Sequence, residues 1–187
     1  MNRFRIEETP SQCAKSHCDK HIVKMPLEEA QMLSTAHRLL DGTIEKRPSV
    51  SGKTIVKYWK LPDDREDVIY KAVHMKHPCT VWAAESLGNY RWAFALFEYL
   101  CEEYSYRYGK THKCYEKLAD TLRLAPDNIN KKLELTPMPL AMGAAPQCMN
   151  PKDVIGSYRK FYMTKQERFE MKWKNRPTPE WFEYVRN

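Results

Sequence analysis

The sequence predicts a mainly α fold, a compact single-domain helical bundle around one long central helix. Three observations carry that expectation. Apolar residues recur at helical spacing in two long stretches, one ending at Leu40 and one spanning residues 78–108. Thr9-Pro10 and His77-Pro78 mark helix starts, while Asp41-Gly42 and Gly109 mark stops. Alternating strand patterns are nearly absent. The 187 residues, 42% of them apolar, suffice for one core.

The elements follow in order. Residues 1–8 read as a short strand or an extended arm. Thr9 as N-cap and Pro10 at the first helical position open a helix expected to reach about Lys24. Pro26 should kink that helix or open a second segment, with Glu28 and Glu29 in its favoured first turn. Met25, Met32, Leu33, Ala36, Leu39 and Leu40 then form an apolar stripe. Residues 41–66 read as an inserted loop broken by Gly42, Pro48, Gly52 and Pro62. Lys46, Arg47, Lys53, Lys57 and Lys60 make it basic, and Tyr58 and Trp59 sit among them. A short helix is expected over residues 64–75. The longest helix, residues 78–108, is apolar nearly all round and so should be central and buried. A helix over residues 114–123 follows, then a Pro-rich connector over 124–151 and a last helix over 153–173. The aromatic tail, residues 175–187, should dock across the body.

Charge narrows the function. The net charge is +7 with 12% aromatics, which suits a polyanionic partner, duplex DNA first, bound in a salt-dependent way. No stretch approaches the roughly 18 apolar residues of a membrane span, so no membrane partner is expected. The opening Met-Asn-Arg-Phe-Arg-Ile lacks the apolar core of a signal peptide. An intracellular setting is therefore expected, with the six cysteines as reduced thiols. Six glycines in all, with no phosphate-cradling loop, argue against a kinase. Lys53, Lys57, Arg91, Arg159 and Lys160 are the expected DNA-backbone contacts. Tyr58 or Trp59 could fill the gap left by an extruded base.

The segment from Cys13 to Glu28 concentrates reactive side chains. His17 and His21 share one helical face, Lys20 and Lys24 form a second such pair, and Lys24 also meets Glu28. One chemistry for it is a zinc site from Cys13, His17, Cys18 and His21, although adjacent His17 and Cys18 cannot easily converge on one ion from a helix. The other is an amine-plus-carboxylate site. An amine can attack a sugar C1′ while a carboxylate moves the proton or steadies an oxocarbenium ion. A plain charged helix face is the alternative to both.

Asp19-Lys20-His21 followed by Glu28 resembles the Asp-Gln-His…Glu helix of the phage pyrimidine-dimer DNA glycosylases of the endonuclease V type. The stretch from His77 to Gly109 is similar to that family's long central helix, likewise preceded by a His. Arg168 to Pro177, running into Trp181-Phe182-Glu183-Tyr184, resembles its aromatic tail. The resemblance implies a DNA-base enzyme acting on a flipped damaged or modified pyrimidine, with no cofactor and with Glu28 as the catalytic carboxylate. His21 would orient substrate or shuttle a proton, and Lys20 or Lys24 would be the amine or simply a phosphate contact. The family's nucleophile is the α-amine of a Thr exposed by Met removal, whereas residue 2 here is Asn. The family's arginines around the glutamate are Leu27 and Gln31 here. The expectation is therefore a changed reaction on that scaffold. It could be a glycosylase activating water with Asp19 or Glu28 as base, or a transferase of an amino acid or polyamine to an activated 5-methyl pyrimidine. A non-catalytic nucleic-acid-binding protein is the remaining class.

Overall fold

The computed structural model describes residues 1–184. The fold is mainly α, with helix over about half of the chain. The chain enters as an extended arm over residues 1–9. Two helices follow, α1 (Pro10–Ser16) and α2 (Asp19–Asp41). A hairpin of β1 (Thr43–Pro48) and β2 (Ile55–Lys60) projects from the end of α2. Then come α3 (Arg65–Val68), α4 (Pro78–Glu85), α5 (Leu87–Tyr108), α6 (Lys113–Arg123) and α7 (Val154–Met163). The core forms where α2 lies against α4, α5 and α6 and where α1 crosses α5.

Helix starts obey local chemistry. Thr9 accepts from the Gln12 amide ahead of Pro10. His77 and His112 cap α4 and α6 in the same way, each ring accepting an amide two residues on. Gly109 closes α5 with φ 65°, a left-handed conformation that glycine takes at little cost.

Five boundaries differ from the sequence expectation. The first helix stops at Ser16 rather than Lys24, because the Cys18 amide donates to Tyr162 Oη and the Asp19 amide to the Lys172 carbonyl. Helix α2 then runs through Pro26 without a break. The helix expected over 64–75 shrinks to α3, and the chain continues extended. The long 78–108 helix is divided at Ser86, where the connector crosses it: Leu87 donates to the Asn130 carbonyl and Gly88 to the Lys132 carbonyl. A Cβ on Gly88 would stand 2.2 Å from the Leu133 carbonyl oxygen, so the crossing demands glycine. The last helix ends at Met163, followed by a 3-10 turn and extended chain.

The inserted loop is an antiparallel hairpin, the clearest correction to the sequence reading. One face pairs Ile44 with Trp59, Lys46 with Lys57 and Pro48 with Ile55. The other face turns inward at its base, where Tyr58 donates to Glu66 and Arg38 donates to the Trp59 carbonyl and to Glu66. The C-terminal aromatics pack on the N-terminal half: Trp181 donates to Glu7, and Trp173 meets Phe182 at 4.8 Å between ring centres. Residues 185–187 of the expected docked tail lie outside the described residues. No helix among the described residues is long and apolar enough to cross a membrane.

Candidate functional site

The N-terminal arm is pinned before it reaches the site. Arg3 is fully buried, donates to both carboxylate oxygens of Glu29 at 2.6–3.1 Å, and reaches the Cys79 carbonyl at 3.0 Å. Asn2 is fixed by its side-chain amide on the Ala141 carbonyl, while its carbonyl oxygen accepts from the Arg3 amide. The arm therefore delivers Met1 and Asn2 to a cavity of about 440 Å³, whose far wall is the 141–144 strip and the segment after α7. That volume lies in the range of small-molecule sites.

Helix α2 supplies the chemistry. His21, Lys24 and Glu28 fall at i, i+3 and i+7 on one helical face, and all three line the cavity. Glu28 is 7% exposed and fully engaged. One carboxylate oxygen accepts from the Asn2 amide at 2.9 Å. The other meets Lys24 Nζ at 2.8 Å and stands 3.8 Å from the Met1 amino group. The site thus holds a carboxylate between two amines.

His21 is a neutral ring. Burial, then the His17, Lys24 and Lys165 charges, lower its pKa to about 3. Tyr162 Oη accepts from the Cys18 amide at 2.9 Å and lies 2.6 Å from His21 Nδ1, which Cys18 Sγ also approaches at 3.6 Å. With Tyr162 donating to Nδ1, His21 would carry its proton on Nε2 and act as a hydrogen-bond donor. Phe4 stacks on the ring at 5.2 Å and Phe169 meets its edge at 5.6 Å. Half-buried His77 borders this region; burial, then the Met1 amine, lowers its pKa, and Glu28 opposes them.

Other sequence candidates fall elsewhere. Asp19, an expected base, stands outside the cavity, because it accepts from Arg107 at 2.9 Å and from the Lys174 amide at 2.9 and 3.1 Å. Its role is to tie α2, α5 and the C-terminal segment together. Lys20 lies 4.6 Å over the Phe169 ring, behind the cavity wall rather than on it. Arg159, an expected DNA contact, is turned inward onto the Ile6 carbonyl and Glu7. Tyr58 is engaged at the base of the hairpin, where its hydroxyl donates to Glu66 and Arg47 covers its ring at 4.3 Å. Trp59 is half-buried on the opposite face of β2, while Lys53, Lys57, Arg91 and Lys160 are exposed.

Cys18 Sγ lies 3.6 Å from His21 Nδ1, but Cys13 and His17 are bound elsewhere. Cys13 Sγ donates to the Glu7 carbonyl, and His17 Nδ1 bonds the Cys13 carbonyl at 2.5 Å. Among the described residues no three His, Cys, Asp or Glu side chains are arranged to hold a metal ion.

Sequence reasoning missed part of the cavity: Asn2, Lys165, Arg168, Phe161 and the 141–144 strip. A Lys165-x-x-Arg168 step just past α7 is the trace that two of them left. Comparison with protein-family models, curated proteins and solved structures finds no match to this chain, so the site is interpreted from its own geometry.

Proposed function

We propose that the protein is a DNA-base enzyme, a DNA glycosylase-like catalyst acting on an extruded damaged or modified pyrimidine. The observation that supports this best is the buried Glu28 carboxylate held between the Lys24 amine and the Met1 amino group at the edge of a nucleoside-sized cavity. An amine beside a carboxylate suits attack at C1′ of a nucleotide. In that step the amine nitrogen bonds to C1′ as the C1′–base bond breaks. The base leaves with that electron pair and takes the proton that Glu28 removes from the amine. Opening of the sugar then moves the second amine proton to O4′ and leaves a C1′ imine. The neutral His21 donates a hydrogen bond to a base carbonyl, and Phe4 and Phe169 brace its ring.

The experiment is nucleoside mass spectrometry of ultraviolet-damaged, plain and phosphomethyl-pyrimidine duplexes, with borohydride present in a parallel set. Base release with a trapped protein–DNA adduct is expected. Glu28→Gln should lower product formation by roughly 10²-fold or more while leaving DNA affinity within about threefold. Full activity in Glu28→Gln removes the assignment. Base release without an adduct transfers the attack to water.

A second reading is favoured by one observation, the surplus of cations on the cavity wall. It is a transferase that attaches an amino acid or polyamine to an activated 5-methyl pyrimidine. A mass gain that appears only with added amine would establish it.

A further inference from the structure

The cavity beside Glu28 holds more positive charge than its acid offsets. Lys24, Lys165, Arg168 and the Met1 amino group line it, and Glu28 is the one acid among its described lining residues. Glu28 is already taken by Lys24 and the Asn2 amide. Most other described arginines are matched by acids, among them Arg3 by Glu29, Arg38 by Glu66, Arg107 by Asp19 and Glu103, and Arg159 by Glu7. No ion pair among the described residues engages Lys165 or Arg168, although both line a cavity whose one acid is already bound.

Lys165 is held in place without being neutralised. It is half-buried, with its ammonium 3.5 Å from the centre of the Phe161 ring. Burial holds it below the ordinary lysine range, Arg168 and Lys24 push the same way, and Cys148 and Glu167 pull back. Gathering like charges around a half-buried amine costs free energy that an incoming anion would restore. The cations also approach from two separate elements, α2 and the turn after α7. That arrangement suits a tetrahedral anion with several outward oxygens better than a planar carboxylate, which a single arginine grips edge-on.

We infer that Lys165 and Arg168, with Lys24, form a phosphoryl-binding subsite on the wall of the Glu28 cavity. This rests on the same cavity as the proposed function and names the part of the substrate that it grips. The phosphoryl group can belong to the DNA backbone beside the extruded nucleotide or to a phosphorylated substituent on the base. Both present the same oxygens.

The test uses the full chain with thymidine 5′-monophosphate and thymidine, compared by titration calorimetry. The monophosphate should bind at least about tenfold more tightly. Lys165→Met combined with Arg168→Met should erase that difference with the melting temperature kept, and Lys165→Arg should retain it. Equal binding of the two compounds, binding of neither, or a preference that survives the double variant would each overturn the inference. Two duplexes then separate the sources. If a neutral methylphosphonate beside the target abolishes the effect of the double variant, the backbone is the ligand. If removal of a base phosphomethyl group does so, the base is. Failure of the glycosylase reading is a different result: every duplex stays unchanged while the mononucleotide preference stands.

Discussion

His21 shows how a single tautomer can set the chemistry of a site. Burial lowers its pKa to about 3, so the resting ring is uncharged near neutrality. With Tyr162 donating to Nδ1, the ring would offer an Nε2–H donor. Tyr162→Phe should leave the Cys18 amide without its acceptor and release the His21 tautomer. The expected cost is about 1–3 kcal/mol of stability, with turnover falling by roughly tenfold. Nitrogen-resolved NMR of the His21 ring checks it, since an unchanged Nε2–H tautomer in the variant contradicts the assignment. At this scale the sequence was informative where spacing alone decides. His21, Lys24 and Glu28 share a face because helix geometry puts them there. It did not show that Asp19 and Lys20, beside His21 in the chain, are engaged by Arg107 and Phe169 outside the cavity lining. Asn2, Lys165 and Arg168 reach the site through contacts made over more than a hundred residues, and local patterns do not encode those.

The element that changed most between sequence and structure is the hairpin. Its strands were hidden because Gly42, Pro48, Gly52 and Pro62 suggested a loop, although Gly42, Pro48 and Gly52 fall at strand ends or in the turn and Pro62 just beyond β2. The outer face sets Lys46 directly opposite Lys57, an unfavourable pair unless an anion joins it. Its base lies about 20 Å along α2 from Glu28. A two-stranded ribbon fits the DNA major groove. Under the proposed function, Lys46→Ala with Lys57→Ala should lower the salt slope of DNA binding by about 2, leaving the melting temperature nearly unchanged. An unaltered slope would remove the hairpin from the interface. The division of the central helix at Ser86 was equally hard to read. Ser86 and Gly88 are ordinary in a helix, and only the connector crossing at Asn130 and Lys132 gives them their role. Caps were legible because they are local: Thr9, His77 and Gly109 act where the sequence placed them.

For the whole molecule, the mainly α class was legible from periodicity, and the seams were not. Those seams contain buried histidines. Burial lowers the pKa of His17 and of His37 to about 4 and that of His21 to about 3. Their folded values lie below the unfolded one, near 6.5, so the unfolded chain binds more protons between about pH 4 and 6.5. Stability should therefore be full above that window and fall as pH drops through it. The expected loss at pH 5 relative to pH 8 is about 2 kcal/mol per histidine. The Asp41, Asp63 and Glu66 carboxyls, held low by Arg65, Arg38 and nearby amides against their burial, lose stability in the same direction at still lower pH. Urea titrations at the two pH values measure this, and equal midpoints would refute it. All six thiols are also buried, and burial pushes five of them up, Cys13 to about 12. They are distributed over α1, the α2 cap, α4, α5, α6 and the 3-10 turn at Pro146–Cys148. An alkylating reagent can therefore modify each one only when its own neighbourhood opens, so the rates at the six positions give a site-by-site record of how the protein comes apart.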